Sequence, residues 1–180
     1  MTLPKRLWFT FFRVKVFLVR HADADAEIPE GLGDEARTLT TKSRAAVRLH
    51  FGGLKDRLGA PSMVLTSPLT RCVQTAQILI HSLGYEGPLR SHRALLPDGP
   101  VGAIEALLRE HPEESLVLIG HQPSMGSITA HLLGLQTFPK PFAPGTVLGL
   151  ELTMPATPDG PFGAQLLFYA PPGQALLESL

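Results

Sequence analysis

The 180 residues contain a single cysteine, Cys72, so no intramolecular disulfide can staple the fold. A lone thiol fits a reducing compartment, and a cytoplasmic location is the expectation. Neither sign of charge is in excess, because sixteen basic and sixteen acidic side chains cancel. No global field therefore draws the chain to nucleic acid or to an anionic membrane, and any positive potential must be local. The sequence also has no apolar run of the roughly 18 residues needed to span a bilayer. Repeats, linkers and low-complexity tracts are missing as well. So is metal-ligand spacing such as His-Glu-x-x-His.

What remains is the composition of an ordinary globular protein, 44% apolar and 18% charged, long enough for one domain with a real core. That domain is expected over residues 14–180. Ahead of it, Lys5-Arg6 followed by Leu7-Trp8-Phe9-Thr10-Phe11-Phe12 has the look of a signal peptide start. The apolar run is too short for one, and Arg13 and Lys15 interrupt it before any cleavage site. Two readings stay open for residues 1–13: an apolar extension packed on the domain, or residues ahead of the native start.

From Val14 onward, strand-like and helix-like segments alternate, the pattern of a mostly parallel sheet covered on both faces. Strands are expected at Val14–Val19, Met63–Thr66, near Leu89 and at Leu116–Gly120. Thr40 or Thr41 can cap a helix carrying Val47, Phe51, Leu54 and Leu58, which Gly52-Gly53 weaken locally. Ser67 reads as a helix N-cap with Pro68 at the first helical position, ahead of Cys72, Ala76, Leu79, Ile80 and Leu83. Further helices are expected around Val101–Leu108 and from Pro123 to Leu133. The runs Thr146–Thr153 and Ala164–Ala170 suggest a hairpin that adds an antiparallel edge. The expected architecture is a three-layer αβα sandwich.

In such sheets the carboxyl ends of the strands line the ligand crevice. Arg20-His21 closes the first strand and His121 closes the fourth, while Arg71 lies in the first turn of the helix after the second. Two imidazoles and two guanidiniums thus converge on one edge. Guanidinium forks match phosphate oxygens, and free N–H groups at a helix start favour an anion. His21 is the candidate nucleophile, provided its other ring nitrogen donates to a fixed acceptor. His121 is a candidate donor to a phosphoryl oxygen.

Three ordered blocks carry a resemblance across roughly Val14 to Ala170. Leu18-Val19-Arg20-His21-Ala22-Asp23-Ala24 resembles the Arg-His-Gly signature of the histidine phosphatase superfamily. Thr66-Ser67-Pro68-Leu69-Thr70-Arg71-Cys72-Val73-Gln74-Thr75-Ala76 and Ile119-Gly120-His121-Gln122-Pro123 resemble its second and third blocks. Arg37-Thr38-Leu39-Thr40 looks most like the SixA-type phosphohistidine phosphatases, and Arg37 joins the substrate-binding candidates. The resemblance implies a covalent phosphohistidine on His21, a phosphate pocket of Arg20, Arg71 and His121, and no metal or organic cofactor. It also implies a partner in signal transduction: a phosphorylated, histidine phosphotransfer-type protein, or else a small phosphorylated molecule. A phosphate-binding module without activity is the third alternative.

Two departures matter. The glycine expected after the nucleophile is Ala22, which is strained if that position needs a positive φ. Asp98, in Leu96-Pro97-Asp98-Gly99, is either a turn former or a general acid for the leaving group; Asp23 and Asp25 read as loop residues. Other phosphatase chemistries fit poorly. Six positions after Cys72 stands Ile78 rather than an arginine, and Ser124 lacks the Gly-x-Ser-x-Gly frame. Asp23-Ala24-Asp25 has no matching distal aspartate pair.

Overall fold

In the computed structural model, which describes residues 13–112, 115–155, 157 and 159–180, alternate side chains of the central strands pack into two separate cores. Strand β1 (Arg13–Arg20) sends Val14, Val16 and Leu18 to one face and Phe17 and Val19 to the other. The period of two is the pleat itself, and a strand covered on both faces must be apolar on both. Residues 1–12 of the N-terminal segment lie outside the described residues.

Helix α1 (Thr41–Gly53) begins where expected, with the Thr40 hydroxyl accepting the Ser43 N–H at 3.0 Å. It stops after Gly53, and one further turn, α2 (Lys55–Leu58), completes the apolar stripe. Strand β2 (Met63–Thr66) is buried throughout. Helix α3 (Thr70–Leu83) corrects the sequence reading. It starts three residues later than Ser67, its N-cap is Leu69, and no side chain caps it. The Ser67 hydroxyl is engaged elsewhere, at the site. Ile80 is only partly buried, and Ile78 occupies the core instead.

Strand β3 (Leu89–Ser91), helix α4 (Val101–Glu110) and strand β4 (Ser115–Gly120) follow. Helix α5 (Ser124–Leu132) has Pro123 as its N-cap rather than within its first turn. Strands β5 (Val147–Thr153) and β6 (Gly163–Ala170) form the expected hairpin.

The six strands run in the order β3-β2-β4-β1-β5-β6. β3, β2, β4 and β1 are parallel, and β5 and β6 are the antiparallel edge. α1, α2 and α3 cover the face holding Phe17, Val64, Val117 and Phe168. α4 and α5 cover the face holding Leu18, Leu65, Leu118 and Leu150. The result is a three-layer α/β sandwich. Among the described residues no helix is long and apolar enough to cross a membrane.

Candidate active site

Strands β1 and β4 lie side by side in parallel with Arg20 paired to Gly120, so the next residue of each chain segment is a histidine. Register alone therefore places His21 beside His121, with ring centroids 4.9 Å apart at 63°. The His21 amide donates to the Gly120 carbonyl at 3.0 Å, which extends the ladder by one bond. Gly120 leaves little room for a side chain, because a Cβ would come within 2.8 Å of the Met125 methyl, which would have to shift, and 3.3 Å of the Leu95 carbonyl. On the other side, the Gly145 amide donates to both the Arg20 and His21 carbonyls, at 3.1 and 3.2 Å, from a backbone with φ of 82° that favours glycine.

Helix α3 is fastened to this turn. The Ala22 amide donates to Thr75 Oγ1 at 3.0 Å, and the same hydroxyl donates to the Arg71 carbonyl at 2.7 Å. Arg71 is thereby held against His21, although its side chain is only 4% exposed. A cavity of about 270 Å³ opens among Arg20, His21, Asp23, Arg37, Arg71 and His121. Four of these are the residues expected from the strand ends, and Arg37 joins them.

The hydrogen bonds define what each group offers. His21 Nδ1 lies 2.7 Å from the Ala22 carbonyl, which can only accept, so Nδ1 carries the proton and Nε2 carries the lone pair. Arg20 Nη1 donates to the Phe142 carbonyl at 2.7 Å, while Arg71 Nη1 and Nη2 donate to the Asp34 carbonyl and Asp34 Oδ2, both at 3.0 Å. In each guanidinium the buried Nε has no hydrogen-bond partner. A guanidinium has an end-on fork and a side-on fork that includes Nε, so each arginine keeps at least one donor of its side-on fork uncommitted. Buried donors without partners are costly, which leaves both cavity-lining guanidiniums short of an acceptor.

Charge and burial keep both rings neutral. Burial lowers the His21 pKa to about 4, helped by the cations Arg71, Arg20 and Arg37. Burial, then His21 and Arg71, lower His121 to about 3. Arg20 is lowered too, chiefly by burial, yet a guanidinium stays protonated at neutral pH. His121 Nε2 sits 2.9 Å from the Ser67 hydroxyl and 3.3 Å from Cys72 Sγ. Burial pushes the Cys72 thiol up to about 12, which removes it as a nucleophile.

Comparison with known proteins gives this geometry its context. The sequence profile of the histidine phosphatase superfamily (branch 1) matches residues 16–95. A protein of Picosynechococcus sp. (strain ATCC 27264 / PCC 7002 / PR-6) is 36% identical over 116 residues, 63% of this chain and 69% of that protein. The protein histidine phosphatase SixA, solved with tungstate, is 26% identical with a TM-score of 0.74, covering 87% of this chain and 96% of that one. The chain belongs to the histidine phosphatase superfamily, on its SixA-type side. Mycobacterial glucosyl-3-phosphoglycerate phosphatase shares the fold at 15% identity and a TM-score of 0.63, over 85% of this chain and 96% of that one. Family and fold together support phosphatase activity.

Within this histidine phosphatase, Ala22 replaces the family's glycine without strain, since no non-glycine among the described residues has a positive φ. Its methyl is fully buried in the core under α3. Asp98 is exposed in a turn closed by the Gly99 amide on the Leu96 carbonyl at 3.0 Å. The cavity is lined by its neighbour Pro97, whereas Asp98 is not part of the wall. Asp25 supplies only its backbone carbonyl, to Arg37 Nη1 at 3.3 Å, but the Asp23 side of the loop lines the cavity.

Three contributors had no site role assigned from the sequence: Asp34, which clasps Arg71 and Arg37; Ser67, against His121; and Thr75, under Ala22. Ser67 and Thr75 lie inside the second motif, so that block was a partial signal. Asp34 had none beyond its place three residues before Arg37.

Proposed function

We propose that the chain hydrolyses phosphohistidine on a protein through a covalent phospho-His21 intermediate. The observation that carries this reading is the His21 tautomer: Nδ1–H is committed to the Ala22 carbonyl, leaving Nε2 as a neutral nucleophile beneath three guanidiniums. Arg20 and Arg71 would take phosphoryl oxygens on their side-on forks, and Arg37 adds positive potential at the mouth. His121, fixed by Ser67, would donate to an oxygen once the incoming anion has raised its pKa.

In the first step a bond forms between His21 Nε2 and phosphorus as the substrate's nitrogen–phosphorus bond breaks. The departing imidazole, already protonated by solvent on its other ring nitrogen, leaves as a neutral ring with the bonding pair on the nitrogen that held phosphorus. In the second, water adds to phosphorus and the His21–phosphorus bond breaks. Inorganic phosphate and neutral His21 are released, and the proton from water goes to phosphate or solvent.

The likeness to SixA, a protein histidine phosphatase solved with tungstate, supports this substrate class, and with it goes the proposal of a histidine phosphotransfer-type partner in a signalling relay. A cytoplasmic setting, suggested by the lone buried thiol, belongs to the same proposal. A second reading, hydrolysis of a small phosphomonoester, is favoured by one feature: Asp23 lines the cavity, and a carboxyl there would be near an ester's leaving oxygen. Rates measured side by side on a phosphohistidine protein and a panel of alkyl and aryl phosphates decide between them. A kcat/KM on phosphohistidine at least tenfold above every ester is expected. The reverse ranking would overturn the preferred substrate.

A further inference from the structure

The Arg71–Asp34 pair joins two unequal surroundings. Arg71 is 4% exposed and reaches the cavity from the first turn of α3, whereas the Asp34 side chain is 56% exposed on a three-residue 3-10 turn (Asp34–Ala36). Asp34 uses every acceptor it has. Its Oδ2 takes Arg71 Nη2, its Oδ1 takes Arg37 Nε at 2.7 Å, and its backbone carbonyl takes Arg71 Nη1. One carboxylate thus touches two of the three guanidiniums that line the site.

We propose that Asp34 is a positioning residue that also acts as a built-in competitor for the phosphate anion: it fixes the outward fork of Arg71 and lowers the site's ground-state affinity for oxyanions. This rests on the anion-pocket reading above. The geometry separates the two roles. Asp34 occupies both Nη1 and Nη2 of Arg71, and Arg71 Nε is buried without a hydrogen-bond partner. The clasp therefore fixes the orientation of a guanidinium that lines the cavity and leaves its Nε uncommitted. At the same time the Asp34 charge neutralises part of the field that Arg71 and Arg37 would otherwise present to phosphate.

That cancellation has a use. A phosphatase with a covalent intermediate ends each cycle with inorganic phosphate in a pocket of three guanidiniums. Binding substrate and product more tightly without stabilising the transition state brings no rate gain, and tight product binding slows release. A carboxylate against the cations weakens both ground states. Because it sits on an exposed turn, Asp34 can yield when the transferring phosphoryl group draws on Arg71. Asp34 is no candidate for the general acid, since its hydrogen bond from Arg37 and the nearby Arg71 hold its carboxyl below the usual range.

The test uses Asp34→Asn, which retains the backbone carbonyl and an amide oxygen for Arg71 but removes the charge. Binding of inorganic phosphate is measured by calorimetry at low and high salt, together with kcat and KM. Asp34→Asn should tighten phosphate binding by roughly threefold or more at low salt, with the gain shrinking as salt screens it. KM should fall with it, and kcat should fall as well. Asp34→Glu restores the charge and should bind phosphate closer to the parent protein.

Glu35→Gln removes an equal charge from an exposed neighbour on the same turn. It should leave phosphate affinity within about 1.5-fold, as expected of a screened surface charge. Unchanged or weaker phosphate binding by Asp34→Asn would overturn the proposal, as would equal tightening by Glu35→Gln. If the parent protein shows no phosphate binding at all, the anion-pocket reading fails instead.

Discussion

On the floor of the cavity, Arg20, His21 and His121 sit at the ends of β1 and β4, two central strands locked in parallel register and buried on both faces. On the rim, Asp34 and Arg37 ride on the loop between Ala24 and Leu39, which is tied back by a bridge between those two residues and by a few side-chain bonds. The floor cannot shift without shearing the sheet. The rim can move at the cost of exposed ion pairs, which are worth little in water. Chemistry that needs sub-ångström placement would belong on the floor, and tuning of affinity on the rim. Arg71 joins the two, being buried in α3 yet clasped by a rim carboxylate.

Breaking the floor should produce the largest effects. His21→Ala should abolish the acid-labile, base-stable phosphoryl label trapped on quenching, and lower turnover by roughly 10⁴-fold or more. Label of equal amount on that variant would end the nucleophile assignment. His121→Ala should leave the label in place and slow turnover by roughly 10²–10³, the scale for losing one transition-state donor. A decline of less than tenfold would move His121 to a purely structural role with Ser67.

Arg20→Lys and Arg71→Lys keep the charge but lose the side-on fork. Each should cost about tenfold to a hundredfold in kcat/KM, more than the usual effect of an exposed charge. Kinetics on phosphohistidine substrates would show it. If lysine serves as well as arginine at both positions, the forks do not grip phosphate.

Acid should reveal the floor in a different way. His21 and His121 have folded-state pKa values of about 4 and about 3, below the ordinary 6.5. Between those values the unfolded chain binds protons that the folded chain refuses, so stability falls as pH drops from about 6.5 toward 4. Thermal midpoints across that range should decline less steeply in His21→Ala and His121→Ala. The same lowered pKa keeps the proposed nucleophile, His21, neutral, so kcat/KM, corrected for substrate ionisation, should hold down to about pH 4. An acid limb near 6.5 would contradict the burial of these rings.

The smallest effect belongs to the far side of the rim. Asp98→Asn should change phosphohistidine hydrolysis by less than about twofold, because the residue is exposed and outside the cavity wall. An alkyl phosphate rate that falls tenfold while aryl phosphates are spared would instead make Asp98 a general acid and favour the ester reading.

The sequence by itself determined the parts that depend on near neighbours. The pleat of β1, the Thr40 cap, the apolar stripes of α3 and α4, and the placement of Arg20, His21 and His121 at strand ends all follow from periods of two and 3.6 and from local polar chemistry. Even the His21 tautomer is local, since its acceptor is the next residue's carbonyl. Ser67 shows the limit of such reasoning. Its sequence neighbours suggested an N-cap, but its hydroxyl meets His121, 54 residues away, and α3 begins at Thr70 instead.

Asp34 and Arg71 are 37 positions apart, and Ala22 and Thr75 are 53 apart. Those pairings exist only because the sheet order brings β1, β4 and α3 together and lays the 23–37 loop across them. Whether Ala22 would be strained was likewise decided by the backbone and not by the residue type. A side chain's partner across the fold is set by register and layer packing, which no local pattern encodes, so the clasp on Arg71 appeared only once the tertiary structure was in view.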